Sequence, residues 1–302
     1  VGKKITIYRG STGINNKIDP VRLRFDWKTG IQDLAKGVNI DIDETGRISR
    51  AKGHKRSLAK DDTHSLFSCG DYGLFVSGDA LCVLESDFSW SAIRNVIQGA
   101  RMDYVTAMGD TYYMNGYEKG IVRDRISYGW TGSSYVGPTT MKTFSDPPIG
   151  HLLDIYNGRM FIAQNEVVWY SEPWSYGWYD LARNYISFSD RITMLRAVRS
   201  GLFISTEKKI YFENGAQPKE FTEIVCADYP AIERTDVMVH GNRIGDGSIN
   251  GLALMFCSEK GICLGGPNGS FTNITSRKVT FPSARYGAGL NRNGKYVCSL
   301  QP

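Results

Sequence analysis

Short apolar runs separated by tight polar turns recur along most of this chain, and the pattern is plainest between His151 and Gly215. One phrase there has a turn at Asn157-Gly158, then Met160-Phe161-Ile162, a polar break, and Val167-Val168-Trp169-Tyr170. A second has Met194-Leu195, a turn at Ser200-Gly201, Leu202-Phe203-Ile204, a polar break, and Ile210-Tyr211-Phe212. The runs are rich in β-branched and aromatic residues and bounded by Gly, Asn and Ser, the pattern of successive strands joined by tight turns. A phrase that returns after about 43 residues predicts a propeller-type repeat.

The phrase extends in both directions. Leu66-Phe67, Gly73 to Val76 and Ala80 to Leu84 open the series. Tyr104 to Met108, Tyr112 to Met114 and Gly120 to Val122 follow. After the two central phrases come Val237 to His240, Leu252 to Phe256 and Gly261 to Leu264, then Tyr286 to Leu290 and Tyr296 to Cys298. The turn glycines Gly73, Gly109, Gly158, Gly201, Gly251 and Gly294 lie 36, 49, 43, 50 and 43 residues apart. That is the length of a four-stranded blade. The prediction is an all-β propeller of six four-stranded blades over 35–302. The last phrase stops after two strands. Val38, Ile40 and Ile42 alternate with polar residues, turn at Glu44-Thr45-Gly46 and return through Arg47 to Arg50. This hairpin, 38–50, is expected to pair with the strand at 295–300, completing the last blade and hiding two sheet edges.

Composition fits strands: of 302 residues, 33 are Gly, 17 Tyr, 13 Phe and 6 Trp. No apolar run approaches the ~20 residues of a membrane helix, and Val1 to Gly10 has no secretory apolar core, so a soluble, non-secreted chain is expected. Charge is uneven. Residues 1–60 hold 14 Lys/Arg against 6 Asp/Glu, and the remainder is slightly acidic. Residues 1–34 are predicted to be an extended arm with little core of its own, one that orders against a partner. Its candidate assembly residues are Lys3, Lys4, Arg9, Arg22, Arg24, Phe25, Trp27 and Lys28, and the interleaved apolar residues favour protein over a phosphate backbone as the partner.

Candidate chemistry is sparse. The six cysteines sit mostly in apolar runs and read as buried thiols, with neither CxxC nor zinc-finger spacing. Asp41, Asp43 and Gly46 match part of a calcium loop, but no acidic residue occupies its twelfth position. Asp154, Glu172, Asp180 and Asp190 lie in the aromatic-rich third repeat, and acids beside aromatics can serve sugars. Trp169, Trp174, Trp178 and Tyr179 are the corresponding aromatic-surface candidates, although packing within a blade explains them equally well. There is no G-x-S-x-G elbow and no P-loop, and Gly265-Gly266-Pro267-Asn268-Gly269 is a turn. No catalytic residue, cofactor or metal is therefore expected.

Several phrases also match a known group. They include Gly13-Ile14-Asn15-Asn16, Gly37-Val38-Asn39-Ile40-Asp41, Gly46-Arg47-Ile48-Ser49-Arg50 and His64-Ser65-Leu66-Phe67. Further along are Val168-Trp169-Tyr170-Ser171-Glu172-Pro173, Ile192 to Leu195, Gly201 to Thr206 and Gly265 to Thr275. In their order, over nearly the whole chain, they resemble the β-propeller tail proteins of tailed bacteriophages, the group of short-tail nozzle and DNA-stabilisation proteins. The resemblance implies a virion structural protein assembled in the host bacterial cytoplasm, a tail or head-to-tail component. It implies a homo-oligomeric, six-fold ring around the DNA channel, beside other tail or connector proteins and in transient contact with DNA. It carries no catalytic residues. A carbohydrate-binding or glycan-cleaving propeller is the alternative.

Overall fold

The apolar runs form strands, and the strands form a ring of sheets. The computed structural model describes residues 10–23, 30–43, 45–53, 55–57, 60–132, 142–243, 249–292 and 294–301. An N-terminal hairpin of β1 (Ile40–Ile42) and β2 (Ile48–Arg50) comes first. The first blade is β3 (Thr63–Ser68), β4 (Gly73–Ser77), β5 (Ala80–Leu84) and β6 (Trp90–Asn95). The second is β7 (Asp103–Ala107), β8 (Asp110–Met114), β9 (Lys119–Arg123) and β10 (Ile126–Tyr128). The third is β11 (Leu152–Tyr156), β12 (Arg159–Gln164), β13 (Val167–Tyr170) and β14 (Tyr185–Ser187). The fourth is β15 (Ile192–Val198), β16 (Gly201–Thr206), β17 (Ile210–Asn214) and β18 (Thr222–Ala227). The fifth is β19 (Val237–His240), β20 (Leu252–Ser258), β21 (Gly261–Gly265) and β22 (Phe271–Asn273). A sixth unit has β23 (Tyr286–Arg292) and β24 (Lys295–Gln301).

Each blade is an antiparallel meander in chain order, and the core lies between successive blades. Leu74, Leu81, Tyr104, Tyr113 and Val122 join blades one and two. Tyr112, Met114, Leu153, Met160 and Ile162 join two and three. Leu152, Phe161, Val168, Leu195, Leu202 and Ile204 join three and four. Met194, Phe203, Phe212, Leu254 and Phe256 join four and five. Sheets stacked face to face around a ring bury both faces of their middle strands, so β8 and β16 are buried at every position. The fold is a β-propeller. The turns behave as their residues require: Asn157 (φ 45°) and Gly158 (φ 74°) are both left-handed, the geometry of a type I′ hairpin.

Ring closure differs from expectation. The hairpin 38–50 forms, pairing Ile40 with Arg50 and Ile42 with Ile48. Among the described residues, however, it makes no ladder with β24, and the two hairpins remain separate sheets. Other segments hold them. The Gly287 and Gly289 N–H groups donate to the carbonyls of Glu233 and Arg234 (2.8 and 3.0 Å), so β23 lies along the segment that enters blade five. The turn of the N-terminal hairpin is held by Ser11 N–H donating to Gly46 O at 2.7 Å. Lys295 Nζ reaches Asp41 Oδ1 at 2.8 Å, joining the two sheets by side chains instead.

The described part of the arm is also docked on its own chain, contrary to the expectation that it orders only against a partner. Gly10 and Ile14 bridge to Ile31 and Leu34. Asn16 exchanges hydrogen bonds with Lys278 and Thr280, at 2.7–2.9 Å. Lys17 bonds the Ser276 carbonyl, and Lys278 Nζ pairs with Asp33 at 2.9 Å. These polar bonds supply what the arm's few apolar residues do not. Arg22 is exposed. Lys3, Lys4, Arg9, Arg24, Phe25, Trp27 and Lys28 lie outside the described residues.

Candidate functional site

The first strands of all six units, β3, β7, β11, β15, β19 and β23, surround a cavity of about 620 Å³, a size that suits a small ligand. The wall carries Arg101, Arg196 and Arg234 with Asp103, Asp154 and Asp236. A propeller's innermost strands splay apart, so their inward N–H groups have no ladder partner and need other acceptors. Side chains one blade away provide them. Ser65, at φ 55° beside a register shift in β3, accepts from the Met102 N–H at 2.9 Å. Asp103 Oδ2 accepts from Leu153 N–H at 2.9 Å, and Asp154 Oδ2 from Ala197 N–H at 2.7 Å. Each link ties one blade to the next.

Arg196 continues the series. Its Nε donates to Asp236 at 2.5 Å, its Nη2 to Asp103 at 3.0 Å, and its Nη1 to the Leu153 carbonyl at 3.2 Å, so one guanidinium joins four blades. Arg234 Nη1 lies 3.0 Å from Asp103, and its Nη2 donates to the His151 carbonyl at 2.9 Å. Arg101 lies over the Tyr286 ring at 4.9 Å. Burial alone would push the Asp103 carboxyl up, but Arg196 and Arg234 outweigh it and hold the pKa below the usual value. Arg196 stays charged for the converse reason: burial disfavours its cation, and Asp103, Asp236 and Asp154 more than offset that.

Asp154 stands apart. Its carboxyl is pushed up to about 6 by burial, opposed by Arg196 and by the Ala197 and Ile155 N–H groups, with the Asp103 charge adding to the rise. It keeps some accessible surface, but that surface faces the central cavity and protein surrounds it, so desolvation dominates. Both oxygens accept backbone N–H groups. Chemically this is a structural carboxyl that takes up a proton more readily than an exposed one, beside a neutralised ion network.

The four residues around the third-repeat aromatics do not form a surface. Tyr179 is fully buried, correcting its place among the surface candidates: its ring packs with Tyr112, Trp130 and Met160. Trp169 is half-buried, donates Nε1–H to Gln164 at 3.1 Å and packs on Tyr185. Trp178 is half-buried and packs on Phe144 with centroids 5.2 Å apart. Trp174 is 67% exposed, lying over Gly158, where an added Cβ would meet its ring at 2.6 Å. Nor do the four acids converge. Glu172 pairs with Lys142 (2.7 Å) and Asn184 (3.0 Å), and Asp190 with Lys208 (2.5 Å) and Ser189 (2.8 Å). Asp180 accepts from the Ala182 N–H at 3.2 Å, and Asp154 lies in the cavity wall. Burial would raise Glu172, yet the bonds from Lys142 and Asn184 leave it below its usual value, opposite to what a glycosidic general acid needs.

Of the inner-wall charges only Asp154 is among the sequence candidates; Arg101, Asp103, Arg196, Arg234 and Asp236 lie outside the aromatic-rich third repeat. Their signal was there: a charged residue interrupts the apolar first run of successive repeats, as in Met102-Asp103-Tyr104, Leu153-Asp154-Ile155, Leu195-Arg196-Ala197 and Thr235-Asp236-Val237.

No protein-family model matches this chain, and no curated protein matches it. Among solved structures it is similar to an auxiliary nutrient binding protein from Bacteroides ovatus (10% identity, TM-score 0.46, covering 68% of this chain and 54% of that one). It is similar to Saccharomyces cerevisiae Sqt1 (12%, TM-score 0.44, covering 74% and 64%). KlHsv2 with loop 6CD replaced by a Gly-Ser linker gives 11% and TM-score 0.46, covering 84% and 79%. The chain spans about half the length of the nutrient binding protein. None of the three is named as a phage protein, and likenesses this remote carry no argument about function.

Proposed function

We propose that this chain is a structural subunit of a tailed-phage virion, a propeller that assembles with copies of itself and with neighbouring tail proteins around the DNA channel. The observation that carries the reading is the outer rim. The outermost strands of four blades expose apolar side chains: Trp90 on β6, Ile126 and Tyr128 on β10, Tyr185 on β14, and Ile224 and Val225 on β18. Exposed apolar edge strands are a liability in a free monomer and a ready surface for assembly. The inner wall supports the same reading, because its charges hold blade to blade. The phage context rests on the sequence phrases.

The test is incorporation. A tagged copy supplied during infection by the phage that encodes the chain should appear in purified virions at the stoichiometry of a ring. Tyr128→Glu combined with Val225→Lys should leave the propeller folded and remove it from virions. Virions that never contain the protein would overturn the proposal. The glycan alternative is favoured by one observation, the exposed Trp174. Glycan binding abolished by Trp174→Ala, together with absence from virions, would put that reading in its place.

A further inference from the structure

Cys257 on β20 and Cys298 on β24 face each other across the junction of blade five and the closing hairpin, with their Sγ atoms 3.1 Å apart. Strand alternation selects this pair. Cys257 lies opposite Ile262, whereas Cys263 lies opposite Phe256 and so points to the other face of the sheet. Close backbone approach brings the hairpin in. At Gly289, cross-strand from Cys298, an added Cβ would lie 2.3 Å from the Thr235 carbonyl oxygen. Tyr296, on the same face as Cys298, donates its hydroxyl to Thr235 O at 2.5 Å and sits 3.4 Å from Cys257 Sγ. Both thiols are free. A disulfide bond is ~2.05 Å long, so the sulfurs need to approach by only about 1 Å.

We propose that Cys257 and Cys298 are an oxidisable pair whose disulfide latches the closing hairpin to blade five. The inference is independent of the phage reading. Cys298 is half-buried and within reach of a small oxidant, whereas Cys257 is fully buried. The Cys257 S–H bond to Cys298 favours the Cys298 thiolate, the nucleophilic form, against the opposing effect of burial. With a hydroperoxide as oxidant, the Cys298 thiolate attacks the peroxide oxygen. The O–O bond breaks, a sulfenic acid forms, and the departing oxygen leaves as water (or alcohol) after taking a proton. The Cys257 sulfur then attacks the Cys298 sulfur and the S–O bond breaks. The released hydroxide takes the Cys257 proton and leaves as water. Two thiols give up two electrons and two protons, and the peroxide takes up both. The latch falls at the two-stranded closing unit, and it closes a span of 41 residues.

The experiment treats the full chain with hydrogen peroxide, quenches with an alkylating agent under denaturing conditions, and maps the peptides without reductant. The expected product carries two fewer free thiols than the reduced chain, with the Cys257 peptide joined to the Cys298 peptide, and dithiothreitol reverses it. Thermal unfolding of the oxidised chain should rise by several degrees, and Cys298→Ser should remove that rise. All six thiols remaining free would overturn the proposal. So would a crosslink between other cysteines, or Cys298 passing to sulfinic acid uncrosslinked. The wild-type peptide map decides even if Cys298→Ser fails to fold.

Discussion

Strands β16 and β24 are of similar length, and both pair antiparallel in the same ring, yet their environments differ. Every position of β16, from Gly201 to Thr206, is buried. In β24 exposed positions alternate with half-buried ones, and none is fully buried. The cause is position. Strand β16 lies between β15 and β17, and its sheet packs against blade three on one face and blade five on the other. Among the described residues strand β24 has one ladder neighbour, β23, and it is its Tyr296–Cys298 face that rests on blade five. Sequence follows environment in part: β16 opens on the apolar run Gly-Leu-Phe-Ile and buries Ser205 and Thr206 with their hydroxyls hydrogen-bonded, while in β24 Lys295, Ser299 and Gln301 take exposed positions. The interior blades are thus held by shared cores, and the closing unit by a few specific side-chain and backbone contacts.

Truncating one side chain in each strand is the most forceful way to break that contrast. Phe203 is fully buried, 4.7 Å from Phe212 between ring centroids, and fits against Gly265, where an added Cβ would meet its ring at 2.7 Å. Phe203→Ala should cost ~3–5 kcal/mol through lost burial and a cavity. Val297, 48% exposed on β24, should cost about 0.5 kcal/mol or less when changed to Ala. Urea denaturation of both variants checks this, and equal losses would remove the distinction between interior and closing units.

Much of this architecture was legible in the chain, and what was hidden had physical reasons. The first three strands of each interior blade stood out because the ring covers both faces, as at Met160 to Ile162 and Leu202 to Ile204. The outer strands did not: β18, Thr222 to Ala227, is exposed over its first four positions and has no apolar face turned inward to mark it. The closing pairing was misplaced because alternation identifies a strand's faces and says nothing about its edge partner: the hairpin 38–50 makes no ladder with β24 among the described residues, and it is β23 that bonds the segment at Glu233 and Arg234. The aromatic candidates showed the converse problem. Trp169, Trp174, Trp178 and Tyr179 are adjacent in sequence, but only Trp174 is exposed, since composition does not tell a blade's filling from its surface.

Acid sharpens the comparison at the seam between blades. Asp154 is pushed up to about 6 by burial, and Glu213, buried on β17 opposite Glu223, is pushed up to about 7 by burial and by that like charge. Both folded values exceed those of unfolded carboxyls, so the folded state binds more protons. Their contribution is fully present below about pH 4 and is lost as pH rises through about 6 and 7. Asp103, held low by Arg196 and Arg234, runs the other way and loses its contribution only in stronger acid. Stability should fall between pH 4 and 7 by ~1–3 kcal/mol from Asp154, an amount moderated by its coupling to Arg196. Asp154→Asn should flatten that part of the profile, whereas changes in β24 should leave it intact. A profile unchanged by Asp154→Asn would mean that the seam does not titrate there.

The smallest effect is expected where the two terminal hairpins meet. Lys295 and Asp41 are both more than half exposed, and their bond of 2.8 Å is the side-chain ion pair that joins the sheets. Exposed pairs of long side chains gain little, because water screens the attraction and holding one geometry costs entropy. A double-mutant cycle of Lys295→Ala and Asp41→Asn should give a coupling close to the limit of measurement at low salt, and none in molar salt, where the Debye length is ~3 Å. The β23 junction with Glu233 and Arg234 should persist in both variants, read as unchanged amide protection at Gly287 and Gly289. A large, salt-resistant coupling would instead mean that the hairpins depend on each other as blades do, and the contrast between interior and closing units would disappear at the point where it is sharpest.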